Sequence, residues 1–154
     1  MARPIFNALV VAAVVLIAGL IYVKLPGLTA MPSDTASTTT SILIKDRAVQ
    51  VVVADTPERR EQGLSGWAGL PEDTGMLFVF DEDDYHAFWM KEMRFSIDIA
   101  WISRDGFIVH IEHDVSPQSF PAVFTPREEA RYAVELPAGW VETYDVAAGD
   151  IVRL

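Results

Sequence analysis

The chain has 154 residues and a formal net charge of −10, and 51% of its residues are apolar. This length is enough for one small domain. The absence of cysteine excludes disulfides, thiol catalysis and thiolate metal sites. After Ser41 there are 21 acidic and 10 basic residues. A domain of this charge repels phosphate backbones, so we expect no nucleic-acid partner.

The first predicted element is the apolar run IFNALVVAAVVLIAGLIYV at residues 5–23. As a helix it would span roughly 28 Å, close to the thickness of a bilayer core. We predict a signal-anchor transmembrane helix over residues 1–25, placed in the bacterial inner membrane with the rest of the chain periplasmic. The alternative is a cleaved signal peptide and a soluble periplasmic protein. The long apolar core and Leu28 at the best cleavage site disfavour that alternative.

Residues 26–41 begin with Pro26-Gly27 and are rich in Ser and Thr. A segment of this composition cannot bury enough apolar surface to offset the entropy of ordering. We therefore predict a flexible linker that connects the membrane helix to a folded domain at residues 42–154.

This domain is predicted to be mainly β. One short helix is expected after Asp55, which forms a capping box with Glu58, and Gly63 is expected to end it. Because the elements show no βαβ alternation, they predict an antiparallel sandwich or a partly closed, jelly-roll-like barrel. The apolar and β-branched runs predict eight strands, at residues 42–45, 48–54, 76–80, 86–91, 97–103, 107–114, 131–136 and 150–153.

A first group of candidate binding residues lies in the predicted strand at 86–91. Strand alternation puts Phe88 and Met90 on one face, and Trp89 and Lys91 on the other. An aromatic ring beside a cation can line a sugar or small-ligand pocket, and Arg94 supplies a further cation. The alternative is a core strand whose lysine extends to solvent.

Two carboxylates interrupt apolar strands, namely Asp98 and Glu135. An isolated buried carboxylate costs several kcal/mol unless it is paired or hydrogen-bonded. One hypothesis makes them an acid–base pair at a cleft. The other makes them members of structural salt bridges, with Lys91, Arg94 and Arg131 as the available partners.

No metal site and no cofactor are predicted. His110 and Glu112 share one face of a strand, but a divalent metal would need a distant third ligand. The acidic residues 81–84 lack the spacing and the central glycine of an EF-hand loop, so we expect a solvated turn there. Glycine-rich phosphate loops and nucleophile-elbow motifs are absent from the sequence.

Several short motifs resemble, in order, those of the family called domain of unknown function 192 (DUF192, or UPF0127), over essentially the whole domain. Ser65, Glu92-Met93 and Ser96-Ile97 depart from the family's usual residues. The resemblance implies a compact, sandwich-type β fold, often behind a signal or membrane segment, without a settled reaction or ligand. The matching motifs are Gly63-Leu64, Gly75-Met76-Leu77-Phe78-Val79-Phe80, Phe88-Trp89-Met90-Lys91, Ile97-Asp98-Ile99, Gly106-x-Ile108, Arg131-Tyr132-x-Val134-Glu135-Leu136, Gly139 and Gly149-Asp150.

These motifs contain four residues that are candidates for a shared site: Trp89, Lys91, Asp98 and Glu135. With the predicted tether, they favour a non-catalytic, membrane-tethered module that binds an envelope glycan, another small ligand or a protein partner. One alternative is a hydrolase that uses Asp98 and Glu135 as acid and base. A second alternative is a structural scaffold of a membrane complex, for which a large exposed apolar patch would be expected.

Overall fold

The computed structural model describes residues 38–154. The predicted membrane helix and residues 26–37 of the predicted linker lie outside these residues. The last three residues of the predicted linker, 39–41, belong instead to the first strand of the domain. Within the described range, no helix is long and apolar enough to cross a membrane. The strands are β1 Thr39–Ile44, β2 Arg47–Ala54, β3 Thr74–Asp84, β4 Phe88–Trp89, β5 Ile97–Ile102, β6 Ile108–Val115, β7 Val123–Phe124, β8 Ala130–Pro137 and β9 Val152–Arg153, and the helices are α1 Pro57–Gln62 and α2 Trp140–Thr143, with a 3-10 turn at Pro117–Ser119.

Seven strands form one curled sheet in the order β6-β5-β8-β3-β2-β1-β9, and β4 pairs with β7 in a separate ribbon. The two edges of the sheet approach each other near the C terminus. There β9 pairs with β1, and Ile151 forms a bridge with Phe107, just before β6. The prediction of a mainly β domain is therefore confirmed. Of the two predicted architectures, a sandwich or a partly closed barrel, the structure shows a curled half-barrel.

The prediction of a wholly antiparallel arrangement is wrong at one place, because β2 and β3 are parallel. The connection between them, residues 55–73, contains α1 and returns the chain to the same end of the sheet, as a parallel crossover requires. The sequence pattern did not indicate this unit, since α1 is too short to produce a helical hydrophobic period. The other strand pairs of the sheet are antiparallel.

Both faces of the central strands are buried. All six residues of β5 are buried, which explains why this strand is a nearly continuous apolar run. A cluster to which all seven strands contribute, including Ile44, Leu77 and Leu136, lies inside the curl. A second cluster, including Phe78 and Trp101, covers the outer face, beneath the α1 and β4 segments.

Helix α1 lies where the sequence predicts it, but its cap differs. Thr56, not Asp55, is the N-cap residue, and its side chain accepts a hydrogen bond from the Arg59 amide at 3.3 Å. Pro57 occupies the first turn, and Gly63 ends the helix with φ 50° and ψ −135°. This backbone conformation is one that residues with a Cβ rarely adopt. Helix α2 was not predicted.

Two predicted segments have a different structure. The predicted strand at 86–91 is reduced to Phe88–Trp89, and a turn follows at Lys91 and Glu92. The acidic residues 81–84 continue β3 instead of forming a turn. There Asp83 binds the Arg131 side chain of β8 at 2.6 Å. This ion pair accounts for an acidic strand end that hydropathy alone does not predict.

Candidate functional site

A pocket of about 280 Å³ opens on the outer face of the sheet, between α1, β3, β4 and β8. Its base contains the side chain of Glu135. Its walls include four aromatic side chains, and they come from elements that are distant in sequence. The lining residues include Arg60 and Gly63 of the α1 segment, Phe78 and Phe80 of β3, Phe88 and Trp89 of β4, and Met93 after β4.

Glu135 is 5% exposed, and its Oε2 atom has no hydrogen-bond partner among the described residues. In the sheet it lies between Met76 of β3 and Ile99 of β5, which are apolar. A Cβ atom placed on Gly63 would be 4.0 Å from Oε2, so this oxygen lies close to the Gly63 wall. Burial raises the pKa of Glu135 to about 8, because a carboxylate loses its hydration in such surroundings.

The aromatic walls are held in fixed geometry by contacts between rings. The Phe78 and Phe88 rings meet edge to face, with centroids 4.8 Å apart, and Phe80 meets Phe88 in the same way at 6.4 Å. Behind them, the Trp101 indole donates a hydrogen bond to the His86 carbonyl at 2.8 Å. This packing supports the β4 segment, so the pocket is preformed.

The mouth of the pocket contains Trp89, which is 49% exposed. Lys91 lies beside it, with Nζ 5.7 Å from the centroid of the indole ring. The predicted pairing of an aromatic ring with a cation is therefore present. A shallow groove next to the pocket shares Glu61, Gln62 and Ser65 with it, and is also lined by Glu58, Lys91 and Glu92.

Asp98 has a different environment from Glu135. The strand register pairs Asp98 with Leu136 and Ile99 with Glu135, so the two carboxylates lie on opposite faces of the sheet. Asp98 is fully buried. Its two oxygens accept hydrogen bonds from the backbone amides of Asp114 at 2.9 Å and Val141 at 3.0 Å. Asp98 thus joins β5 to β6 and α2, and it cannot form an acid–base pair with Glu135.

The remaining candidate residues are not part of the pocket. Arg94 is exposed. Arg131 binds Asp83 instead of either buried carboxylate. His110 and Glu112 contact each other at 3.0 Å, and residues 38–154 contain no group of three or more His, Cys, Asp or Glu side chains that could hold a metal ion. Neither buried carboxylate is in a salt bridge like those the sequence suggested.

Comparison with known families gives a match to the DUF192 model, described as an uncharacterized ACR, over residues 40–154. The chain belongs to the DUF192 family. A UPF0127 protein from Thermococcus gammatolerans is 29% identical over 107 residues, which cover 66% of this chain and 64% of that protein. The chain thus matches slightly less than two thirds of the length of this curated relative.

Two solved structures share the DUF192 fold seen here. A candidate transcription regulator from Sinorhizobium meliloti 1021 has 33% sequence identity and a TM-score of 0.72, with 76% of this chain and 94% of that chain covered. A protein of unknown function from Novosphingobium aromaticivorans DSM 12444 has 18% identity and a TM-score of 0.74, with 81% of this chain and 91% of that chain covered. The second likeness concerns the fold alone.

The sequence indicated two of the pocket residues, Trp89 and Glu135, but not the walls. Phe78, Phe80 and Phe88 stand in DUF192 motifs, and they resemble ordinary core residues of strands. Gly63 was predicted as the end of a helix and as part of a DUF192 motif, but not as a pocket residue. The sequence did contain one indication of the pocket, namely a carboxylate in an apolar strand together with several aromatic residues in family motifs. These side chains meet in space only because of the β2–α1–β3 crossover.

Proposed function

We propose that this chain is a non-catalytic binding module that is tethered to a membrane and takes a small ligand into the aromatic pocket. The observation that supports this function best is the buried Oε2 atom of Glu135, which has no partner among the described residues. A buried polar atom without a partner is costly. A ligand that supplies the missing hydrogen bond would remove this cost.

The walls of the pocket support a ligand with an apolar or CH-rich surface. Phe78, Phe80 and Phe88 provide ring surfaces, and Trp89 is half exposed at the mouth. A concave, mostly apolar site with a small number of polar groups is the usual form of a small-molecule site. A sugar ring or a short alkyl group would both suit such walls, so an envelope glycan fragment remains within this proposal.

The acidic charge of the domain does not support nucleic-acid binding. One solved relative is named as a candidate transcription regulator, and that description concerns the Sinorhizobium protein. After Ser41 this chain has 21 acidic and 10 basic residues, and contact with a phosphate backbone depends on neutralising cations. We therefore infer a small ligand instead of DNA.

A ligand screen on the full chain tests the proposal. The screen contains cell-wall fragments, monosaccharides, amines and short organic acids, and it measures thermal stabilisation in non-ionic detergent. We expect at least one class to stabilise the wild type and to lose its effect in Trp89→Ala and in Glu135→Gln. An exposed variant, Glu129→Gln, is the control. If no class stabilises the wild type, the proposed function fails.

A second candidate is an enzyme in which Glu135 alone acts as general acid. Its raised pKa favours this, since a carboxylic acid that keeps its proton near neutral pH can protonate a leaving group. Turnover of a compound from the screen, abolished in Glu135→Gln and falling as the pH rises through about 8, would favour the enzyme. Binding without turnover would favour the module.

The membrane tether and the periplasmic location are proposed from the apolar run at residues 5–23 alone. A C-terminal alkaline phosphatase fusion, which is active only outside the cytoplasm, tests the location. Mass measurement of the membrane fraction tests the anchor, because a cleaved signal peptide would remove the mass of the N-terminal segment. An inactive fusion would contradict the location, and a shortened soluble product would contradict the anchor.

A further inference from the structure

The charged side chains in and around the aromatic pocket are mostly acidic. Glu135 lies at its base and Glu61 on its wall. The adjoining groove adds Glu58 and Glu92. Below about pH 8, where Glu135 keeps its proton, the carboxylates of Glu58, Glu61 and Glu92 still outnumber the two cations of the region. A site with this balance raises the local concentration of cations and disfavours anions.

The two cations of this region already lie over aromatic rings. The guanidinium of Arg60 is 5.5 Å from the centroid of Phe80, and it also donates to the carbonyl of Val79 at 2.7 Å. The ammonium of Lys91 is 5.7 Å from the centroid of Trp89. Ring faces attract cations through their negative quadrupole. The Phe80 ring is also stacked on His86, with centroids 3.5 Å apart, so the protein's own side chains already cover it. Trp89 is 49% exposed, and it therefore offers ring surface to a ligand cation at the mouth of the pocket.

Building on the small-ligand function proposed above, we propose that the pocket selects an organic cation: an alkylammonium or quaternary ammonium compound with a small apolar body. The charged head would lie next to Glu135 and neutralise it. The CH groups of the ligand would contact Phe78, Phe88 and Met93. Aromatic surroundings combined with a carboxylate stabilise such cations through electrostatic attraction and apolar contact together.

The volume of the pocket limits the size of this ligand. About 280 Å³ corresponds to about nine water molecules, at about 30 Å³ each in the liquid. This is just below the range of about 300–1,000 Å³ that is usual for small-molecule sites. A charged head with a short chain fits this space, whereas a longer ligand would extend into the groove beside Glu58 and Glu92.

The ionisation of Glu135 makes the charge of the ligand measurable. A cation needs the carboxylate, whereas a neutral ligand would accept a hydrogen bond from the protonated acid. The other ionisable groups on the pocket wall are Arg60 and Glu61, and the β3 and β4 walls contribute none. Because burial alone raises the pKa of Glu135 to about 8, the affinities of the two ligand classes change in opposite directions with pH.

Calorimetric titration of the full chain in detergent, with choline and its neutral isostere 3,3-dimethylbutan-1-ol, tests the inference. Choline carries a charge that does not depend on pH. We expect choline to bind more tightly than the alcohol, with an affinity that rises roughly 50- to 100-fold between about pH 6 and about pH 9. Butylammonium and butan-1-ol form a second matched pair.

Substitutions at three positions test which side chains cause the preference for choline and its pH dependence. Glu135→Gln should remove the preference for choline and the rise with pH, and Trp89→Leu should weaken choline more than Trp89→Phe does, because the latter retains a ring. Glu129→Gln, which changes an exposed carboxylate, should leave both unchanged. Circular dichroism checks that each variant is folded.

Two results would overturn the inference while the proposed function remains. The first is that neutral compounds bind as tightly as their charged isosteres, with an affinity that falls as the pH rises. The second is that no amine binds, although another class stabilises the protein in the ligand screen. If no class in the screen binds, the proposed function fails together with the inference.

Discussion

Replacing Glu135 by glutamine tests how strongly burial opposes the ionisation of this carboxyl group. Burial raises its pKa from 4.5 to about 8. Each unit of difference between the folded and unfolded states corresponds to about 1.4 kcal/mol, so the full shift is equivalent to about 5 kcal/mol. This is a large part of the roughly 5–15 kcal/mol that stabilises a typical small domain.

The direction of the effect depends on which state holds the proton. Between pH 4.5 and about 8, the folded protein keeps the proton on Glu135 while the unfolded chain has released it. The free energy of unfolding therefore falls as the pH rises through this window, by about 1.4 kcal/mol per pH unit at most. Above about pH 8 both states are ionised, and this contribution levels off.

Urea unfolding of the full chain in non-ionic detergent, from about pH 5 to about pH 9, measures this effect. The quantity of interest is the free energy of unfolding of the wild type minus that of Glu135→Gln. We expect this difference to fall by several kcal/mol over the range, because glutamine does not titrate. In Glu129→Gln the corresponding difference should stay within about 0.5 kcal/mol.

A flat difference for Glu135→Gln, within about 1 kcal/mol from pH 5 to pH 9, would refute the reasoning. It would mean that the carboxylate finds hydration or a partner when it ionises. In that case the ionised Glu135 would not be an unpaired charge. The proposed function and the preference for an organic cation would then lose the observation on which both depend.

Three further predictions concern other residues of the same region. Asp98→Ala leaves the buried amide of Val141 and the partly buried amide of Asp114 without an acceptor, so its free energy of unfolding in urea should fall by about 3–5 kcal/mol; a loss below about 1 kcal/mol would contradict this. Gly75→Ala places a Cβ atom 2.5 Å from the backbone oxygen of Glu135, so we expect a loss of about 2–4 kcal/mol in the same assay, and an unchanged midpoint would be inconsistent with such close strands. Trp89→Ala alters a half-exposed ring, so stability should change by less than about 1 kcal/mol while ligand stabilisation is lost; retained stabilisation would exclude this ring from the site.

The strands of the domain could be predicted because their hydrophobic pattern is local. The strands β1, β2, β5 and β6 lie close to the predicted ranges 42–45, 48–54, 97–103 and 107–114, because their apolar and β-branched runs identify them locally. The crossover from β2 to β3 could not be predicted in this way. The crossover depends on a short helix that begins after Thr56 and ends at Gly63. A helix of six residues shows too little hydrophobic periodicity to indicate that the strands on either side of it are parallel.

The carboxylates show a second limit of sequence reasoning. Alternation along one strand tells which neighbours share a face, but not the register between two strands. Asp98 and Glu135 lie in adjacent strands, and the observed register pairs Ile99 with Glu135. A register shifted by one residue would have put both carboxylates on the same face. The hypothesis of an acid–base pair was therefore undecidable before the pairing was known.

The pocket itself depends on contacts between distant segments. The α1 segment, the β3 strand and the β4 segment meet around Glu135 because apolar side chains on the outer face require a cover. Leu64 and Phe88 supply part of this cover, and both are buried. The sequence identifies each residue as apolar, but it does not show that the cover leaves a space above one carboxyl group.

The two buried carboxylates should respond to neutralisation in opposite directions. Asp98→Asn replaces an acceptor of two backbone amides by a group with one acceptor oxygen, so one amide is left unpaired and stability should fall by about 1–3 kcal/mol. Glu135→Gln removes a charge that has no partner, so at about pH 9 it should raise stability by up to several kcal/mol. Urea unfolding of both variants at one alkaline pH gives the comparison.

Stability changes of opposite sign in the two variants would show that the Asp98 carboxylate stabilises the fold and that the Glu135 carboxylate destabilises it. A group of the second kind is expected where a ligand completes its interactions, since structural needs alone would favour an apolar residue of similar size. Destabilisation by both substitutions would instead mean that Glu135 also has a structural partner in solution, and the inference of an organic cation would lose its basis.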